Sequence, residues 1–370
     1  MHCSPAGFCL DAVLACRLCK LALLSRRGAA VALAVAASAA AAATIWGMGG
    51  AASSPAALRA RRRHAASGAA FAGRHALVGG GTAGIGRGAA LRLAEAGFSV
   101  TVLGRSQEHG AATLAELRAR GAPGATHAFV PLDAFSLART REAARAYAAA
   151  LPRGAGLDVL FLSQGMATLA GRRETAEGLD EKMTLHFYSR TLLARELLPE
   201  LRAAREPLVI SVLSAGVHAP YAGWREDPEL RDSYSLKNAA DAAGTYNDLA
   251  LDALARAPGN ERIAFVHAAP GMVASSWGSE LPAPLRVVVR ALLATIGRSP
   301  ADAAEVLLDP LWAVHAEAAA NGGVPRGGLR LLGSDGSPAA PTAIHEAARD
   351  AVWAHTTALL DRVLETGHAR

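Results

Sequence analysis

His75-Ala-Leu-Val-Gly-Gly-Gly-Thr-Ala-Gly-Ile-Gly86 is the stretch that decides the fold. The apolar run Ala76-Leu77-Val78 leads straight into glycines. Behind them Ala89, Leu91, Leu93 and Ala94 recur at helical spacing until Gly97 stops the pattern. A second apolar run, Phe98 to Leu103, follows. Strand, glycine turn, helix and strand within about thirty residues make a βαβ unit of the kind that binds a dinucleotide. Glycine lets the turn backbone approach a pyrophosphate, and the helix N-terminus stabilises its charge. Gly79, Gly81 and Gly84 spell G-x-G-x-x-G, while Gly80, Gly84 and Gly86 spell G-x-x-x-G-x-G. With 37 glycines in the chain neither spelling is specific alone, and the flanking strand and helix give it weight.

Downstream the alternation continues. A helix is expected over 111–120, a strand over 127–133, and a helix capped by Ser136 running to about Ala150. Leu157-Asp-Val-Leu-Phe-Leu162 reads as a strand buried on both faces. One long helix is expected over 179–201, a strand over 208–213, a polar loop to Asp232, a helix over 236–255 and a strand over 262–267. This pattern predicts an α/β fold, a doubly wound parallel sheet of the Rossmann type. Ligands in such sheets bind at the carboxyl ends of the strands, here the loops at 79–86, 104–106, 133, 163–166, 214–218 and 270–276.

Residues 1–70 differ in character: rich in Ala and Arg, nearly free of acids, and broken by Gly, Ser and Pro. They are expected to form a largely disordered targeting segment or a membrane anchor preceding a Rossmann domain at 71–370. Residues 29–48 form an uncharged run of about twenty residues, nominally bilayer-spanning, but alanine contributes little to insertion. An Arg-rich, acid-poor N-terminus equally fits an organelle transit peptide, mitochondrial or plastid. Membrane association through 29–48 and organelle targeting are therefore both expectations.

Nine basic residues and one acid lie in 1–74, a net of +8 in a chain of net +6, which leaves −2 for the rest. A basic nucleic-acid face is not expected on such a body. All four cysteines fall within the first nineteen residues, so no disulfide framework holds the domain.

Two further features bear on chemistry. An acid after the second strand would accept from a ribose 2′-hydroxyl; Gly104-Arg105-Ser106 offers a guanidinium instead, which suits a 2′-phosphate and favours NADP over NAD. Pro270-Gly-Met-Val-Ala-Ser275 follows the sixth strand, and Thr175-Ala-Glu-Gly-Leu-Asp180 opens the long helix. With Asp133, Ser163-Gln164-Gly165, Ser299-Pro300 and the late helix around Trp353, these make the chain from about residue 74 onward resemble the short-chain dehydrogenase/reductase family, in particular its retinol-dehydrogenase-like branch. The resemblance selects Gly80, Gly84 and Gly86 as the glycine motif. It implies a cofactor site built from Gly80, Thr82, Gly84, Ile85, Gly86, Arg105, Ser106, Asp133, Ser163, Gly165, Pro270, Gly271, Val273 and Ser275. It also implies an interface helix and hence a homodimer.

Catalysis in that family uses a tyrosine hydroxyl as acid/base, a lysine that lowers its pKa, and a serine that binds the developing oxyanion. The resemblance places these roles on Tyr234, Lys237 and Ser214, with Ser211 the rival serine. His186 stands where the family has an asparagine that helps relay protons. Lys237 follows Tyr234 by three residues where the family has four, with Asn238 at four. On a helix both neighbour the tyrosine. The chain has only three lysines, Lys20, Lys182 and Lys237, so a lysine at this point is suggestive. No His/Asp/Glu cluster at ligand spacing accompanies His186, and no metal is expected. The apolar stretch 285–296 suits a lipophilic substrate lid, a core helix or a dimer surface.

The expected activity is NADP-dependent reduction of a ketone or aldehyde, or oxidation of the corresponding alcohol, by hydride transfer on a lipophilic small molecule. The shifted lysine keeps open an inactive NADP(H)-binding sensor or scaffold of the same fold.

Overall fold

The computed structural model describes residues 71–275, 281 and 283–370. The N-terminal extension, the 29–48 stretch and all four cysteines lie outside the described residues. Among the described residues no helix is long and apolar enough to cross a membrane.

Seven strands, all parallel, lie in the order β3-β2-β1-β4-β5-β6-β7. They are β1 (His75–Gly79), β2 (Ser99–Gly104), β3 (Ala128–Pro131), β4 (Val159–Leu162), β5 (Leu208–Val212), β6 (Ala264–Ala268) and β7 (Gly328–Leu332). Chain order reverses beside β1, between β2 and β4, which is the switch point where a doubly wound sheet opens a crevice. The first six strands lie where the apolar runs place them. The seventh was not expected: Arg330 interrupts its apolar pattern, and as an edge strand it stays mostly half-buried.

Alternate residues of each strand feed opposite faces. Ala76 and Val78 enter one core with α1 (Gly84–Glu95), α2 (Gln107–Arg120), α9 (Pro300–Leu307) and α10 (Asp309–Ala320). Leu77 enters the other with α3 (Leu137–Ala150), α5 (Ser189–Glu196), α6 (Leu198–Ala203) and α7 (Leu236–Arg256). A third cluster joins α7 to α11 (His345–Thr366) around Tyr188, Tyr221, Trp224 and Tyr246. Helix α8 (Ala283–Ile296) precedes α9 in the chain.

The single helix expected over 179–201 is broken. It opens as a short α4 (Glu181–Met183), capped by Asp180, whose carboxylate accepts from Met183 N–H at 3.0 Å. It widens into a π-turn over Thr184–Tyr188 and resumes as α5. It restarts as α6 where Pro199, lacking an N–H, occupies the first turn. A π-turn inside a helix often marks a functional position.

Candidate functional site

At Gly80 and Gly86 the turn is packed too tightly to admit a side chain. A Cβ on Gly86 would lie 2.3 Å from the Gly80 carbonyl oxygen and 2.4 Å from Ser163 Oγ. One on Gly80, whose φ is +72°, would lie 2.7 Å from the Gln164 backbone nitrogen. Ser163 Oγ locks the turn to β1 by donating to the Gly79 carbonyl at 2.9 Å. Ser275 closes in from the loop after β6, its Cβ 3.5 Å from where a Cβ on Gly84 would sit. The helix that follows presents its first turn without a side-chain cap, since Ala83 is the N-cap, and without an acid. Its backbone N–H groups are thus available to an anion. Beside it the Gln164 amide is buried with neither nitrogen nor oxygen hydrogen-bonded. Such a cradle fits the pyrophosphate of a dinucleotide.

The other expected cofactor residues follow β1, β2, β3 and β6 in the chain. The Thr82 side chain packs against the β2 terminus, 2.5 Å from where a Cβ on Gly104 would lie, and Ile85 packs into the first core. Arg105 is exposed and lies over the Phe135 ring at 5.3 Å. Ser106 is committed as the N-cap of α2, accepting from His109 N–H at 3.2 Å. Asp133 accepts from Phe135 N–H at 3.2 Å. Pro270, Gly271 and Val273 follow β6; Gly271 has φ +68°, and Val273 bridges to Arg298.

From the cradle the loop after β4 runs over the segment that carries Lys182, His186 and Arg190. Gln164 O accepts from Arg190 Nη2, Met166 N–H donates to His186 Nε2 at 3.0 Å, and Ala170 O accepts from Lys182 Nζ at 2.7 Å. His186 sits within the π-turn, with its carbonyl accepting from Asn247 Nδ2 at 2.9 Å. Because its Nε2 accepts, the imidazole is neutral, and burial, with Arg190 and Lys182 nearby, pulls it down to about 3. Arg190 is buried and has no ion pair among the described residues; its nitrogens also donate to Ser211 Oγ at 3.1 Å and Val212 O at 2.8 Å. Burial lowers it to about 9, which leaves it charged at neutral pH.

Ser214 stands at the end of β5, partly exposed, whereas Ser211 is buried and spends its hydroxyl on Asn247 Oδ1 at 2.8 Å. The structure separates Tyr234 from Lys237. Ser235 is the N-cap of α7, accepting from Asn238 N–H at 2.9 Å, so Tyr234 precedes the helix and the helical spacing rule does not reach it. Lys237 points into solvent, its side chain 75% exposed, and pairs with Asp241 one turn on. Tyr234 Oη instead accepts from Lys182 Nζ at 2.6 Å. Burial, with the Asp180 carboxylate adding to it, pushes Tyr234 up to about 12. Ser214 and Tyr234 make no hydrogen bond to each other among the described residues.

Sequence reasoning missed Lys182, Arg190, His218 and Asp248. The scarcity of lysine that drew attention to Lys237 applies equally to Lys182. His218 follows Ser214 by four residues, and its side chain is 2% exposed. Away from the sheet edge, Asp252, His345 and Glu346 approach within 4.8 Å of one another. Arg256 and Arg349 already engage those carboxylates and put positive charge where a cation would sit.

A family profile described as short chain dehydrogenase matches residues 74–226, from β1 past Ser214 and short of Tyr234. The chain is 34% identical over 213 residues to an oxidoreductase of Emericella nidulans, covering 57% of this chain and 62% of that protein. It is 35% identical over 183 residues to polyprenol dehydrogenase of Mus musculus, covering 49% and 53%. It is 33% identical over 187 residues to dehydrogenase/reductase SDR family member 13 of Homo sapiens, covering 48% of each. The chain thus spans between 48% and 62% of the length of these relatives. A short chain dehydrogenase of Shigella flexneri complexed with NADP superposes with a TM-score of 0.48 at 20% identity, over 65% of this chain and 91% of that one. The glycine turn, the parallel sheet and the profile agree: residues 74–226 are those of a short-chain dehydrogenase/reductase.

Proposed function

We propose that this protein is an NADP-dependent oxidoreductase that interconverts a carbonyl and an alcohol on a lipophilic small molecule. The observation that carries the reading is the glycine cradle closed by Ser163 and Ser275, which like Ser214 follow the carboxyl ends of parallel strands. When bound, the nicotinamide cofactor supplies or accepts the hydride. Gly80, Gly84 and Gly86 admit its pyrophosphate, and Arg105 offers the guanidinium that favours a 2′-phosphate. Ser214 donates to the oxygen on which negative charge develops. Tyr234 is the acid/base, with Lys182 in the place expected for Lys237, because the ammonium at its hydroxyl favours the phenolate. His186, neutral and fixed by Met166, holds the loop that links the cradle to this pair. Val287, Leu292 and Ile296, exposed on α8, support an apolar substrate.

Fluorescence titration with NADPH and NADH, followed by turnover on aliphatic, steroid, retinoid and quinone carbonyls, tests the reading. Tight NADPH binding with turnover is expected, and Tyr234→Phe is expected to abolish turnover while leaving NADPH affinity intact. Unchanged turnover in that variant removes Tyr234 from the mechanism. The solvent-facing Lys237 favours a second reading, an NADP(H)-binding sensor without catalysis. Tight binding with no turnover on any of these carbonyls would select it.

A further inference from the structure

Behind Ser214 lies a buried set of ionisable groups that the reaction as described leaves unused. The chain turns back at Ser214, whose carbonyl accepts from Val217 N–H at 2.9 Å and His218 N–H at 3.2 Å, and this folds the His218 ring over its own turn. The ring is admitted by a missing side chain on α7. A Cβ on Gly244 would lie 2.5 Å from the His218 ring and 2.6 Å from Ser214 Oγ. His218 Nδ1 stands 2.8 Å from Ser214 O and 3.5 Å from Ser214 Oγ. Its Nε2 stands 3.2 Å from Asp248 Oδ2. The other carboxylate oxygen of Asp248 is 2.5 Å from Nδ1 of His267, a fully buried residue of β6. His267 Nε2 accepts the Ser214 backbone N–H at 3.0 Å, which closes the ring of contacts.

These contacts fix the proton of His267. His267 accepts through Nε2, so its single proton lies on Nδ1 toward Asp248, and burial holds the imidazole neutral. His218 faces a carbonyl within hydrogen-bond reach at Nδ1 and the Asp248 carboxylate at Nε2, and because Nε2 and Oδ2 make no hydrogen bond that carboxylate acts on the ring through its charge, which favours the doubly protonated form. Burial alone would lower its pKa, but Asp248 outweighs that, with the Ser214 carbonyl and Asp241 adding to it, and the net shift is upward. The charged groups around this ring are Asp241 and Asp248 on α7 and, beyond the neutral His267, Arg190 on α5. Asp241 is itself occupied by Lys237 and the Ala219 N–H.

We propose that His218, held as an imidazolium by Asp248, is a positioning residue that aims the Ser214 hydroxyl at the substrate oxygen. With Nδ1 protonated, Ser214 Oγ meets a donor on its inner side and turns its own proton outward, where the oxyanion develops. With Nδ1 bare, the same hydroxyl donates inward to the imidazole and is lost to the substrate. The charge also strengthens Ser214 as a donor during carbonyl reduction. The proposal rests on the reading that Ser214 faces the reacting oxygen.

Long-range proton–nitrogen NMR of the histidine rings in the cofactor-free protein, with His218→Asn assigning the signal, tests the protonation state without requiring turnover. Both ring nitrogens of His218 are expected to be protonated at neutral pH, with a midpoint above the ordinary histidine value. A neutral ring there overturns the proposal. In Asp248→Asn the midpoint is expected to fall, and where that variant does not fold the wild-type titration decides alone. On a carbonyl that turns over, kcat/KM for reduction is expected to decline with rising pH at the His218 midpoint. In His218→Asn, which keeps a donor beside Ser214 but does not titrate, that decline is expected to vanish, with reduction slower by about tenfold, less than the loss from deleting an oxyanion donor outright. A retained decline in His218→Asn overturns the proposal. NADPH binding without turnover on any carbonyl would instead remove the functional reading, and the NMR titration would still decide the state of His218.

Discussion

Two lysines compete for the tyrosine, and exchanging each in turn decides between them. Lys237→Ala removes a solvent-facing side chain whose contact is an i,i+4 pair with Asp241. Such pairs contribute about 0.3–0.5 kcal/mol, so stability should change by no more than that and turnover should stay within about twofold. Lys182→Met removes the ammonium from Tyr234 Oη at 2.6 Å and from the carbonyls of Ala170 and Gly171 at 2.7 and 3.2 Å. A charge-assisted bond contributes about 1.5–3 kcal/mol where it is buried. Lys182 is only partly buried, so solvent screening should hold the total loss to about 1 kcal/mol, or about 2–4 °C in Tm. The chemical effect should be far larger, because a phenol already pushed up by burial loses the charge that favours its ionised form. A loss of about 10²–10⁴-fold in kcat/KM is expected, the range for a positioned acid–base group. Absorbance of NADPH during carbonyl reduction measures the rates, and thermal unfolding monitored by circular dichroism measures the stability. Full activity in Lys182→Met, or a hundredfold loss in Lys237→Ala, would refute the pairing.

Gly86→Ala places a methyl group 2.3 Å from the Gly80 carbonyl, so the turn must open; NADPH affinity should drop beyond fluorescence detection, and stability should fall by about 1–3 kcal/mol, as for an overpacked core site. Arg105→Glu should weaken NADPH binding by at least about tenfold and leave NADH binding nearly unchanged, since about 1.4 kcal/mol of lost phosphate contact is a factor of ten; equal losses for both cofactors would remove Arg105 from the 2′-phosphate site. His186, held down to about 3 in the fold against about 6.5 when unfolded, makes the unfolded chain bind more protons as pH falls below 6.5. Chemical denaturation at pH 6.5 and pH 5 should therefore show the wild type losing about 2 kcal/mol more than His186→Gln, which keeps an acceptor for Met166 N–H but no titrating group.

The sheet was legible because parallel strands buried on both faces leave continuous apolar runs, as in Leu208 to Val212 and Val159 to Leu162. β7 escaped because an edge strand need not bury both faces, and Arg330 breaks its pattern. The cradle was legible too, since the crowding around Gly80 and Gly86 leaves only glycine as an option. Tyr234 and Lys237 are paired by the resemblance, although the helix expected from 236 holds Lys237 alone. Ser235 caps that helix where the sequence places its start, so Tyr234 stays outside it. Lys182, Arg190 and His218 were not legible, for each works through a partner remote in sequence or through a backbone carbonyl, and neither leaves a periodic trace.

The widened turn at Thr184–Tyr188 also has a meaning in terms of helical phase. Lys182 and Arg190 are eight residues apart, which in an unbroken α-helix would set them about 80° apart around the axis. One extra residue absorbed in a π-turn makes eight residues behave as seven and brings the two to within about 20°. Both cations then reach the same loop, Arg190 at Gln164 and Lys182 at Ala170 and Gly171, with His186 fastening Met166 between them. Segment length thus works here as an angular setting. Were 184–188 to wind as ordinary α-helix with every residue kept, Lys182 would rotate by about 100° relative to Arg190 and release one end of that loop, although every side chain that holds it would still be present.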